Sequence, residues 1–141
     1  MDYSAAIKKG EKLYLDGKKD QAIRLFQTVL AKQPSNYLAL NNVGVVCFSA
    51  GDVNAAESYF IRAVEARKNY MDAVFNLALL YRASGRPELA LRYLDKCSKI
   101  ANNYHQCNEI GKIFIEIGEH NKARTLLEES IKLNPSQHRC L

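Results

Sequence analysis

All seven glycines of this 141-residue chain fall into two columns that repeat along it. One column holds Gly10, Gly44 and Gly111, with Ala78 at the remaining position; the other holds Gly17, Gly51, Gly85 and Gly118. Intervals in the second column are 34, 34 and 33 residues, and Ala22, Ala56, Ala90 and Ala123 repeat them. Phe26, Phe60, Leu94 and Leu127 follow in step. Such a pattern is an internal repeat, in which each small unit buries its apolar face by stacking on its neighbours.

Each unit reads as two helices. Leu40, Val43, Gly44 and Cys47 recur at three- and four-residue steps, as do Ala56, Tyr59, Phe60, Ala63 and Val64. Gly51 ends the first of these helices and Asp52 is placed to cap the second. Pro34 and Pro135 stop the second helices of the outer units, and Pro87 suits a first helical turn. The pattern predicts eight helices, over 3–15, 19–32, 36–49, 53–67, 70–83, 87–100, 104–116 and 120–133. The small residues of the first helix are expected to face the alanine of the second, so that the two axes approach closely. A bulky residue at Ala56 or Ala90 should then cost about 1–3 kcal/mol through overpacking.

The period, the Gly/Ala column followed by Tyr81 or Phe114, the second Gly, the Ala, the Phe/Leu and the closing Pro resemble the tetratricopeptide repeat. The resemblance covers residues 3–137 as a single domain of four units, 3–36, 37–70, 71–103 and 104–137. It implies an all-α, right-handed solenoid of four helix–turn–helix hairpins. The chain departs from the family pattern at several places. Ala6, Leu40, Val74 and Cys107 stand where an aromatic often opens the motif, Lys9 stands in line with Val43, Leu77 and Ile110, and Lys68 and Asn102 replace the closing proline. The shortened third unit should alter the twist between units three and four.

Little in the chain suggests chemistry. Every glycine belongs to the repeat, so none remains for a phosphate-binding loop. His105/Cys107 and His138/Cys140 form two H-x-C pairs, yet Cys107 shares the packing column of Leu40 and Val74, and Cys47 and Cys97 also sit at packing positions. Zinc motifs need tighter paired spacing, so neither metal nor cofactor is expected. Glu116, Glu119, Glu128 and Glu129 read as solvated helix faces. No enzyme is expected. The net charge of +5 is spread evenly, with 10 basic and 7 acidic residues over 1–70 and 10 and 8 over 71–141. That evenness argues against a nucleic-acid-binding arm. No signal or membrane-spanning segment is seen, and four cysteines without CxxC spacing suit a reduced, cytoplasmic setting.

The resemblance implies that the first helices line a concave groove holding a segment of a partner protein. The helix from Tyr37 to Ser49 carries no charge. Its outward residues would be Leu38, Asn41, Asn42, Val45 and Phe48, followed by Phe75, Asn76, Leu79 and Arg82, then Asn108, Glu109 and Lys112. Ile7, Lys8, Glu11 and Tyr14 extend the face into the first unit. Asn42 and Asn76, 34 residues apart, suit pairing with a peptide backbone, while Phe48, Phe75 and Leu79 suit its apolar side chains. An amphipathic helix is the alternative occupant.

The clamp that some members use for the acidic tail of heat-shock chaperones is missing. Asn42 matches it, but Ile7, Glu11, Asp72 and Asn76 occupy the other places, and shifting by one unit brings in His105 and Glu109. The expected function is a scaffold or adaptor that binds protein or peptide. The alternatives are a dedicated chaperone of the secretion or pilus type and, less favoured by the neutral groove, an RNA-binding repeat. Pro135-Ser136-Gln137 echoes Pro34-Ser35-Asn36, so residues 138–141 read as the start of a missing cap or further repeat. Leu127 and Ile131 would then be partly uncovered, either because the chain was excised from a longer one or because it self-associates there.

Overall fold

The computed structural model describes residues 2–133, with Leu133 described for its backbone alone. Eight helices follow one another: α1 Ser4–Leu15, α2 Lys19–Lys32, α3 Tyr37–Ser49, α4 Val53–Ala66, α5 Met71–Ala83, α6 Pro87–Ile100, α7 Tyr104–Glu116 and α8 His120–Leu133. Each boundary through the start of α8 lies within one residue of the expectation, and α8 reaches the last described residue. The described residues contain no strand. None of their helices is long and apolar enough to cross a membrane.

Local chemistry explains the boundaries. Asn36, Asp52 and Asn103 cap α3, α4 and α7 by accepting from the amides of Ala39, Ala55 and Gln106. Pro87 opens α6, where its missing N–H costs nothing. At the end of α3 the Gly51 amide donates to the Phe48 carbonyl and the Asp52 amide to that of Cys47. This double bond pattern needs a left-handed residue between the helices, and Gly51 supplies it at φ +86°. The same pair of bonds recurs around Gly17, Gly85 and Gly118, so all four hairpins turn alike.

The helices pair as α1–α2, α3–α4, α5–α6 and α7–α8, and the hairpins stack through α2–α3, α4–α5 and α6–α7. First helices also meet, α1 with α3 and α3 with α5, so they form an inner layer. The core is a chain of clusters, each drawing on adjacent hairpins, as the stacking argument requires. Ala22, Ala56, Ala90 and Ala123 are buried in it. Cys97 and Cys107 are buried as their columns implied, whereas Cys47 is half-buried between two clusters. Leu127 and Ile131 are half-buried. The inferred cap or further repeat at 138–141, and His138 and Cys140, lie outside the described residues.

One packing expectation needs correcting. The glycine of each first helix lies against the Phe/Leu column rather than resting on the alanine alone. A Cβ on Gly44 would stand 2.5 Å from Cε1 and 2.6 Å from Cδ1 of Phe60, and one on Gly10 would collide with the Phe26 ring. A Cβ on Gly111 would meet the Leu127 methyls and Cγ at 3.6–3.8 Å, an ordinary contact. Phenylalanine therefore goes with glycine in the first two units, and leucine leaves room for a methyl in the last two, where Ala78 already carries one beside Leu94.

Candidate functional site

The candidate groove is the exposed side of the inner layer, built by α1, α3, α5 and α7. Three polar contacts stitch these helices together. Between α1 and α3, the Asn42 amide donates to Glu11 Oε2 at 3.1 Å. Between α3 and α5, the Asn76 amide donates to Asn41 Oδ1 at 3.0 Å. Between α5 and α7, Arg82 pairs with Glu116. Both columns of amides thus spend part of their hydrogen-bonding capacity on one another's helices.

This corrects part of the expected face. Asn41 is only 5% exposed and Ile7 only 4%, so both belong to the interior, not to the open surface. The physical reason is the approach of the next first helix, which covers the flank of α3 that bears Asn41 and of α1 that bears Ile7. Leu38, Val45, Phe48, Phe75 and Leu79 are half-buried, each packed against a core cluster while keeping part of its surface open. Asn42, Asn76 and Asn108 are half-buried, and Arg82 and Lys112 are exposed.

Two creases open on this inner layer. One, of about 190 Å³, is lined by Glu11, Tyr14, Leu15, Phe26, Asn42, Val45 and Val46, and Leu15 stands 82% exposed beside it. The other lies between α5 and α7, holds about 250 Å³, and is lined by Met71, Asp72, Phe75, His105, Gln106, Glu109 and Ile110. Met71 and Gln106 did not stand out in the sequence. Their signal was present, because they flank the repeat column on the first turns of α5 and α7, but nothing local shows that these turns part to leave a crease.

Around the second crease, the Tyr70 hydroxyl donates to Asp72 Oδ2 at 3.2 Å. Burial, and then Asp72, push the Tyr70 phenol well above its ordinary value, so it remains a donor. Lys112 reaches Glu109 at 3.4 Å, both side chains well exposed. Elsewhere, burial raises the thiols of Cys47, Cys97 and Cys107, the opposite of what a nucleophile or metal ligand needs. Among the described residues no group of three or more His, Cys, Asp or Glu is arranged to hold a metal.

Two family models described as tetratricopeptide repeat match the chain, over residues 36–103 and 107–137. A TPR repeat-containing protein of Methanocaldococcus jannaschii is 31% identical over 132 residues, covering 91% of this chain and 23% of that protein. The human DnaJ homolog subfamily C member 3 is 25% identical over 157 residues, covering 99% of this chain and 31% of that protein. The chain thus spans about a quarter to a third of these relatives. Among solved structures, MamA of Desulfovibrio magneticus superposes with a TM-score of 0.72 at 20% identity, over 96% of this chain and 77% of that one. YrrB, described as a TPR protein with an unusual peptide-binding site, superposes at 0.71 and 19% identity, over 96% and 71% of the two chains. At these identities the likeness is one of fold.

Proposed function

Since the chain belongs to the tetratricopeptide repeat family, whose hairpins form protein-interaction scaffolds, we propose that it holds a peptide segment of a partner protein on its inner layer, as a non-catalytic adaptor. The units 3–36, 37–70, 71–103 and 104–137 act in this reading as one domain, in a reduced cytoplasmic setting. The observation that carries the reading is the pair of creases between first helices, each combining apolar walls with polar groups at its rim. A ribbon of half-buried apolar surface bordered by polar side chains is what a binding site for a peptide requires. The peptide-binding site ascribed to the fold neighbour YrrB is in keeping with it.

The test is selection of binders from a displayed peptide library on the wild-type chain. The selected peptides are then measured against a variant with Asn42→Arg and Asn108→Arg on the inner layer, and one with Arg92→Ala and Lys99→Ala on second-helix surface positions. Loss of binding in the first alone, with unchanged helical circular dichroism, is the expected result. Loss in the second alone would place the site on the outer layer and refute the reading.

A further inference from the structure

The crease between α5 and α7 differs from its surroundings in charge. The chain carries +5 overall, yet this crease brings together two carboxylates, Asp72 and Glu109, with no Lys or Arg in its lining. Beside them the crease is walled by Met71, Phe75 and the buried Ile110. Its volume of about 250 Å³ falls short of the roughly 300–1,000 Å³ typical of small-molecule pockets. The scale is that of one or two side chains.

Resting on the groove reading above, we propose that this crease is the subsite for a basic side chain, Lys or Arg, of the partner segment. The chemistry of such a side chain matches both kinds of residue in the lining. Its methylene stem lies along Met71, Phe75 and Ile110, removing apolar surface from water while the charged head stays at the wet rim. There the head meets Asp72 and Glu109. The Tyr70 hydroxyl donates to Asp72 Oδ2 at 3.2 Å and restrains that carboxylate. Lys112 is the only cation within reach of Glu109 among the described ion pairs, at 3.4 Å on the exposed side. It therefore competes with the incoming head. An acidic segment would instead bring its charge against both carboxylates.

The probe is a set of fluorescent octapeptide sublibraries with Arg, Lys, Glu or norleucine at one fixed position, titrated by polarisation at two salt concentrations. The wild-type chain should prefer the Arg and Lys sets, and more strongly at low salt. Asp72→Asn with Glu109→Gln should weaken those sets about three- to tenfold while leaving norleucine unchanged, the range of two partly exposed charge pairs. Lys112→Ala should strengthen them, an effect that a merely damaged fold does not produce. If the Glu set binds best, or the double carboxamide variant binds Arg and Lys as tightly as wild type, the basic subsite is wrong. The groove reading then still stands, provided that Asn42→Arg/Asn108→Arg abolishes binding of every set. If no sublibrary binds the folded wild-type chain, both readings fall.

Discussion

The same substitution, glycine to alanine, should have opposite effects at two equivalent positions of this repeat. In α3, a Cβ on Gly44 would lie 2.5 Å from the Phe60 ring, which is fully buried and has no room to withdraw. Ordinary carbon contacts lie at about 3.5–4.0 Å, so the helices must part or the ring must leave its rotamer by ~1 Å. In α7, a Cβ on Gly111 meets Leu127 at 3.6 Å, and nothing has to move. Both substitutions gain the same helix propensity, about 0.8–1.0 kcal/mol. The difference between the sites is therefore the packing term alone, about 1–3 kcal/mol of overpacking at Gly44. Gly111→Ala should stabilise by about 0.5–1 kcal/mol, and Gly44→Ala should destabilise. Adding Phe60→Leu to Gly44→Ala recreates the Ala78/Leu94 pairing of the third unit, so the two changes should be favourably coupled by about 0.5–3 kcal/mol. Urea titration by circular dichroism measures all four variants. The slope is followed with the midpoint, since a changed slope reports lost cooperativity between units rather than packing. Equal stabilisation at both sites, or strict additivity with Phe60→Leu, would refute the pairing argument.

Two further outcomes rest on buried polar groups. The Tyr81 hydroxyl, on a residue only 3% exposed, donates to Glu57 at 2.7 Å, and Arg86, lying over the Tyr81 ring, pairs with the same carboxylate at 3.2 Å. Glu57→Ala leaves that hydroxyl without its acceptor and should cost about 1–3 kcal/mol, more than Tyr81→Phe at about 1 kcal/mol; the reverse order in urea titrations contradicts this account. Burial pushes the Cys97 thiol from 9.0 up to about 12. Between those values the unfolded chain has released this proton and the folded chain retains it, so stability is lost as pH rises above about 9, by up to about 1.4 kcal/mol per unit. Cys97→Ala should flatten that part of the pH profile, and an unchanged slope would show that this thiol is not its source.

What the sequence determined by itself was everything with a local cause. Gly17, Gly51, Gly85 and Gly118 end the first helices because their own backbones turn left-handed, and in the second unit Asp52 starts α4 because its carboxylate reaches an amide three residues on. Neither depends on the rest of the molecule, so the period of 34 carried helix boundaries and hairpin order directly. Only the tertiary structure decided what lies open on the inner layer. Asn41 and Asn42 are neighbours on one turn of an uncharged helix, and nothing local tells them apart. The approach of α5 buries the first against Asn76, while the second stays at the surface beside Glu11. The crease that gathers Asp72, Phe75, His105 and Glu109 likewise joins residues 30 or more positions apart. Its shape follows from how two hairpins stack, a geometry set by the sum of many packing contacts rather than by any one residue.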